Sequence, residues 1–286
     1  MPTSAECKLT AIINMKGGVG KTTLSVNLSK ELARRGHRVL LVDLDPQANA
    51  TLVCMSEQEI KAHRDAGKKT ITGLFIDVYE PRVPVAVRLA PELAIKDYTF
   101  SVPSSENTAR GGSLDFIPSD IYLSSVLRGV SMGPYSLDSL INEDVRKKYD
   151  YILVDCAPTY SALTTIALNT CRSVLIPMIS DSFGKHGTDL MKQILEEHKY
   201  DYGVDVSVVG VVFTMRKPHS TTQIDTEREI IVKWGSDKVF RQTISQNEWY
   251  RISNGQRTAF ADSKAHATPK KELGDFVEEF LKRVST

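Results

Sequence analysis

The sequence has little of what marks a secreted, membrane-spanning or polycationic chain. Its 286 residues hold four cysteines, Cys7, Cys54, Cys156 and Cys171, with no CxxC pair. That is too sparse for the disulfide framework of a small secreted scaffold, and it points to a reducing cytoplasm. No window approaches the roughly 18 uninterrupted apolar residues of a membrane span. Polar Thr3, Ser4, Glu6 and Lys8 near the start do not read as a signal peptide. Neither sign of charge dominates. Lys plus Arg number 36 and Asp plus Glu 35, a net charge of +1 that excludes a histone-like polycation. Any nucleic-acid contact must then come from a local patch. There is no internal repeat and no linker separating two cores. What is present, 41% hydrophobic and 25% charged residues, suffices for a sizeable buried core.

Apolar strands alternate with helical patterns. Leu9 to Asn14, Arg38 to Asp43, Leu114 to Ile117, Tyr151 to Asp155, Ser173 to Met178 and Val206 to Phe213 read as buried strands, with a shorter one over Lys238 to Ile244. Leu24, Leu28 and Leu32 mark a helix over Thr22 to Arg35, and Gly36 stops it. Ser56 to Gly67 reads as a polar helix and Ser101 to Ser113 as a loop. The alternation predicts an α/β fold with a doubly wound, mostly parallel sheet in a single domain spanning 1–286, with an elaboration at about 55–112 and a C-terminal helix at about 271–284.

The chemistry is concentrated in Lys16 to Thr23, KGGVGKTT, between a predicted strand and a predicted helix. Gly17, Gly18 and Gly20, with Val19 among them, let backbone N–H groups turn around phosphate oxygens. The helix that follows offers its positive N-terminus to the same anion. Lys21 reaches the β- and γ-phosphates, the Thr22 hydroxyl is placed for Mg²⁺, and Thr23 is placed for the α-phosphate. The pattern is not the general G-x-x-x-x-G-K-[ST], because Met15 stands where the first glycine belongs and a second lysine, Lys16, opens the loop. Asp155 ends an apolar strand, which suits support of a Mg²⁺-bound water. Asp43 and Asp45, two residues apart after the second strand, point the same way if that strand continues. One would then sit near the metal and the other near the attacking water.

These segments, KGGVGKTT, LVDLDPQANAT and YDYILVDCAP, resemble the deviant Walker A ATPases of the ParA/MinD family, and DPQANAT with GVVFTM at 210–215 resembles the ParA branch. The likeness runs through 8–54, 114–124, 149–187 and 205–244. It implies a P-loop NTPase fold, ATP and Mg²⁺ as cofactors, and a dimerisation switch in DNA segregation or cargo positioning. By resemblance, Lys16 is the signature lysine that reaches the partner's nucleotide across a homodimer. Lys21, Thr22 and Thr23 hold nucleotide and Mg²⁺, Asp45 positions the hydrolytic water, Asp43 lies near the metal, Asp155 is the Walker B aspartate, and Met215 borders the adenine. The family further implies non-specific DNA binding in the ATP state, with nucleoid association, and a partner protein that stimulates hydrolysis. Candidate DNA contacts are Arg216, Lys217, Arg251 and Arg257; Pro218 and His219 complete the basic neighbourhood of the first two.

The chain departs from the family after its last strand. Ile244 to Asn254 reads ISQNEWYRISN where the family commonly has a segment like IPRNVRLSEAP. Ser245 replaces a proline that helps border adenine, and Gln246 and Trp249 stand where arginines are usual. Two other readings stay open: a regulatory ATPase subunit of a larger assembly without a DNA role, and a MinD-like membrane switch. The second needs a basic amphipathic C-terminal helix. Here Leu273, Phe276, Val277, Phe280 and Leu281 form the apolar stripe, and Glu272, Asp275, Glu278 and Glu279 face away from it, so the stripe is expected to pack on the domain. An iron–sulfur relative is disfavoured, because Cys156 and Cys171 read as core residues.

Overall fold

In β2 (Arg38–Leu44), Leu40, Val42 and Leu44 pack in one core cluster while Val39 and Leu41 pack in another. The same alternation divides β5 (Tyr151–Cys156), β6 (Ser173–Ile179) and β7 (Ser207–Thr214). A period of two with apolar residues on both faces is what a sheet covered on both sides requires. The computed structural model of the chain describes residues 6–75, 94–103, 111–127, 136–181, 184–217, 220–257 and 259–285. Among them the strands form one seven-stranded sheet of order β3-β4-β2-β5-β1-β6-β7, in which β1 is Lys8–Ile12, β3 is Phe100–Ser101 and β4 is Ser113–Ile117. Every pairing is parallel except the short edge strand β3 against β4. This is a doubly wound P-loop NTPase-like fold.

The helices are α1 (Lys21–Arg34), α2 (Asn49–Cys54), α3 (Glu57–Asp65), α4 (Thr72–Phe75), α5 (Ser124–Leu127), α6 (Leu137–Leu140), α7 (Glu143–Arg146), α8 (Ala162–Cys171), α9 (Gly184–Tyr202), α10 (Thr221–Trp234), α11 (Glu248–Gly255) and α12 (Ala267–Ser285). In α1 the predicted Leu24, Leu28 and Leu32 are all buried. The polar helix expected over Ser56 to Gly67 is α3, begun by a capping box in which Ser56 and Glu59 satisfy each other's backbone N–H groups. The apolar stripe of α12 is buried on the domain, with Phe276 against Phe240 at 5.0 Å between ring centroids and Phe280 near Tyr151 at 6.4 Å. Of the expected elaboration, residues 76–93 and 104–110 lie outside the described residues, as do Pro218 and His219.

One expected element differs. Lys238 to Ile244 does not form a strand; it meets β7 through the single bridge Val211–Val239, and a second bridge joins Arg216 to Ser245. The reason lies in α12. Phe240 and Ile244 donate to the Val211 and Phe213 carbonyls, but between them the Glu279 carboxylate accepts the N–H groups of Arg241 and Gln242, so a side chain interrupts the ladder. The close approach of this segment to β7 needs Gly210, where a Cβ would lie 2.5 Å from the Phe240 ring.

Candidate functional site

Parallel order places the carboxyl ends of β2, β5, β1, β6 and β7 along one edge, and the loop after β1 lies in the crevice they form. Its conformation is fixed from outside the glycine run. The Asn14 amide donates to the Pro177 carbonyl at 2.8 Å, and its oxygen accepts the Lys16 N–H at 2.9 Å. The Thr214 hydroxyl donates to the Val19 carbonyl at 2.8 Å, tying the loop to the end of β7. Gly20 turns into α1 with φ 83°, a left-handed value open to glycine. The loop therefore reaches the N-terminus of a fourteen-residue helix with its N–H groups free of a side-chain cap.

A cavity of about 1000 Å³ opens on this loop. Gly17, Gly18, Gly20 and Lys21 to Leu24 form its floor; Asp45 and Gln47 stand on the β2 side, and Met215 with Ile244 to Glu248 on the β7 side. Lys21 is buried, and its Nζ donates to the Lys16 carbonyl at 3.2 Å. Burial lowers its pKa, against the pull of Asp155, Cys156 and Asp45. A cation held at this cost is poised for a ligand of opposite charge.

The three carboxylates have distinct surroundings. Asp155 is buried, and desolvation pushes its pKa up to about 6 against hydrogen bonds from Thr22 and Ser25, the latter at 2.9 Å. Its Oδ2 is buried without a hydrogen-bond partner. Asp43 is pushed up to about 8, by burial first and by Asp155 second. The expectation that Asp43 and Asp45 act side by side is modified by geometry. Asp43 Oδ2 accepts the Thr51 N–H at 2.9 Å and the Thr51 hydroxyl at 2.8 Å, and Oδ1 accepts the Asp45 N–H at 3.2 Å. Asp43 thus clasps the turn into α2, while Asp45, one residue past β2, lines the cavity.

Lys16 pairs with Asp181, Nζ to Oδ2 at 2.5 Å. Arg216 pairs with Glu227 at 3.1 Å, and Glu227 also accepts the Ser180 hydroxyl at 2.9 Å. Lys217 and Arg257 are exposed. Arg251 lines the cavity and pairs with Glu248 one turn before it. Met215 holds φ 51°, uncommon for a residue with a Cβ, beside the loop. Sequence reasoning missed Asp181, Tyr250 and Glu272; no local pattern marks them, since each works through a partner distant in the chain. Cys156 and Cys171 are buried with raised pKa values, and no metal-holding cluster of His, Cys, Asp and Glu occurs among the described residues.

A glycine-rich loop at a helix N-terminus, a buried lysine and an aspartate one residue before the end of the central strand β5 define a P-loop nucleotide-binding protein. Residues 7–202 match the model of a family described as an AAA domain. The sporulation initiation inhibitor protein Soj of Bacillus subtilis is 32% identical over 84% of this chain and 85% of its own length. The chromosome partitioning protein ParA of Caulobacter vibrioides is 30% identical over 84% of this chain and 81% of its own. The chain belongs to the ParA/Soj family of deviant Walker A partition ATPases. Among solved structures, apo McdA of Cyanothece superposes with a TM-score of 0.74 at 21% identity, covering 96% of this chain and 99% of that one. A Borrelia burgdorferi plasmid partition protein bound to AMPPNP does so with 0.69 at 21% identity, covering 97% and 100%. No helix among the described residues is long and apolar enough to cross a membrane.

Proposed function

We propose that the protein is an ATP-driven dimerisation switch whose ATP-bound homodimer binds DNA without sequence preference and positions a DNA or other cargo. The observation that carries the reading is the division of labour between the loop's two lysines. Lys21 lies in the floor of the cavity, whereas Lys16, which does not line it, pairs with Asp181. One cation serves the nucleotide of its own chain; the other, held by Asp181, is the one that by family resemblance reaches the nucleotide of a facing copy. Asp181 neutralises Lys16 within the chain, and the position of Lys16 outside the cavity lining, together with family membership, supports the dimer.

The loop N–H groups and Lys21 bind the β- and γ-phosphates, and Thr23 the α-phosphate. Asp45 orients a water against the γ-phosphorus; the water's oxygen forms the new P–O bond as the bond to the β–γ bridging oxygen breaks, giving ADP and phosphate. The donor set fits Mg²⁺. Thr22 lies beside Asp155, whose buried Oδ2 lacks a partner, as suits a hydrated cation that keeps waters and takes its remaining oxygens from phosphate. When bound, the ion neutralises charge on the phosphates. Asp43 acts by holding the turn that presents Asp45.

Light scattering with a non-hydrolysable ATP analogue and Mg²⁺ tests the switch. A doubled mass is expected, and an unchanged monomer mass overturns it. Gel shifts with and without ATP test the DNA arm. A second reading, a regulatory ATPase in a protein assembly, draws on the engagement of Arg216 by Glu227 and of Arg251 by Glu248, which thins the basic patch. In either case a partner protein would stimulate hydrolysis, and the site of action would be the cytoplasm, at the nucleoid if DNA is bound.

A further inference from the structure

We propose that Glu272, on α12, is a positioning residue for the cavity wall that takes the nucleobase, which makes the C-terminal helix a working part of the nucleotide site. The inference rests on the reading that the cavity binds ATP, and it extends the site beyond the residues matched by the family model, which end at 202.

The strand order says where the base goes. Asp45 follows β2 and Met215 follows β7, and β1 with its loop lies between those strands. A triphosphate with its γ end beside Lys21 and Asp45 directs its nucleoside towards Met215 and the stretch Ile244 to Asn247, which lines the cavity there. That stretch is joined to the end of β7 on one side: Ile244 donates to the Phe213 carbonyl, its own carbonyl accepts the Arg216 N–H, and Gln246 donates to the Arg216 carbonyl. On the other side Ser245 is fixed by one carboxylate oxygen: Glu272 Oε2 accepts the Ser245 N–H at 3.2 Å and the Ser245 hydroxyl at 2.6 Å. Leu273, the next residue of α12, lines the cavity directly. A proline at 245 would offer neither donor, so the clasp is specific to the residue this chain carries.

A second residue belongs to the same wall. Tyr250 is 7% exposed and lines the cavity, and its ring stacks on Phe260 at 4.0 Å between centroids. Its hydroxyl is buried without a hydrogen-bond partner. Burial first, and the Glu272 carboxylate second, raise its pKa, so the hydroxyl keeps its proton. The hydroxyl has almost no accessible surface, so a base at this wall would meet the tyrosine ring, which Phe260 backs.

The test is calorimetric titration of the full chain, in Mg²⁺, with ATP and with inorganic tripolyphosphate. Glu272→Ala removes two hydrogen bonds to a charged group, so ATP affinity is expected to fall about ten-fold. Tripolyphosphate, which does not reach the wall, is expected to bind within about two-fold of wild type. By charge alone, removing a carboxylate would strengthen both polyanions, so a selective loss of ATP has the opposite sign to the electrostatic effect. Glu272→Gln keeps an acceptor oxygen and should restore most of the affinity. The proposal is overturned if Glu272→Ala binds ATP as wild type does, or if ATP and tripolyphosphate weaken in parallel, the mark of a general structural loss. Failure of the underlying reading has a different signature: the wild-type protein would bind neither ligand, and the proposal would fall with it.

Discussion

Lys16 Nζ lies 2.5 Å from Asp181 Oδ2, across 165 residues of sequence and at the side of the loop that cradles phosphate. Both side chains are about one-third exposed. A pair so placed contributes about 1 kcal/mol or less. Asp181→Ala should therefore leave the fold intact and release Lys16. In the switch reading, the concentration needed to dimerise with a non-hydrolysable ATP analogue should fall by up to about five-fold. Sedimentation across a dilution series measures it. A higher concentration requirement would show that Asp181 aims Lys16 rather than restrains it. Lys16→Ala should abolish the ATP-dependent dimer.

Lys21 and Asp45 should separate binding from turnover. Lys21→Ala removes a buried, charge-assisted contact to phosphate, so ATP affinity should fall by about 10- to 100-fold. Asp45→Ala should bind ATP and hydrolyse it about 100-fold more slowly, the scale of a lost water-positioning group. Asp45→Ala turning over at the wild-type rate would remove Asp45 from the mechanism.

The parts of the site legible in the sequence are those whose chemistry is local. Gly17 to Thr23 follows β1 and opens α1 within a few residues, and Asp155 follows an unbroken apolar run in β5, so pattern alone locates them. Asp181 and Glu272 could not be read that way, because each acts through a partner 165 or 27 residues away. The misread strand over Lys238 to Ile244 has the same origin. Its apolar residues satisfy the strand pattern, but midway the N–H groups of Arg241 and Gln242 are taken by Glu279 of a helix that the pattern describes only by its apolar face. Likewise the spacing of Asp43 and Asp45 suggested a shared direction, whereas Thr51 turns Asp43 inward.

The buried aspartates predict an unusual pH dependence for the metal- and nucleotide-free protein. Asp43, raised to about 8, holds a proton in the folded state that the unfolded chain has already lost. Its raised pKa therefore makes stability fall as pH rises, until the folded group has itself ionised. His37, His63 and His198, lowered by burial, act in the opposite sense, but their gain is largely complete by about pH 7. Urea unfolding should then show stability falling by about 1 kcal/mol between about pH 7 and 8. That window lies below the range where the buried thiols of Cys54, Cys156 and Cys171, raised as well, add a further loss as unfolded cysteines ionise. Asp43→Asn should flatten that slope. A flat wild-type profile, or a slope that survives in Asp43→Asn, would assign the dependence elsewhere.

DNA binding is tested most cleanly away from Arg216. That arginine donates to Glu227, which is 9% exposed and whose other partner is the Ser180 hydroxyl. Arg216→Ala would leave a buried carboxylate short of a cation and confuse a lost contact with a damaged fold. Arg251 lines the nucleotide cavity, so its removal could act through ATP. Lys217 and Arg257 are exposed and suffer neither objection. With a net charge of only +1, the chain offers DNA no general attraction, and binding must come from such local cations, doubled in a dimer. Each phosphate contact adds about 0.9 to the negative slope of log affinity against log salt. Lys217→Ala with Arg257→Ala should flatten that slope by about 1.8 for each subunit engaged, with affinity for random-sequence duplexes falling uniformly. Fluorescence anisotropy with ATP and Mg²⁺ across a salt series reads both quantities. An unchanged slope would place the DNA face elsewhere, and no binding by wild type at low salt would favour the protein-assembly reading.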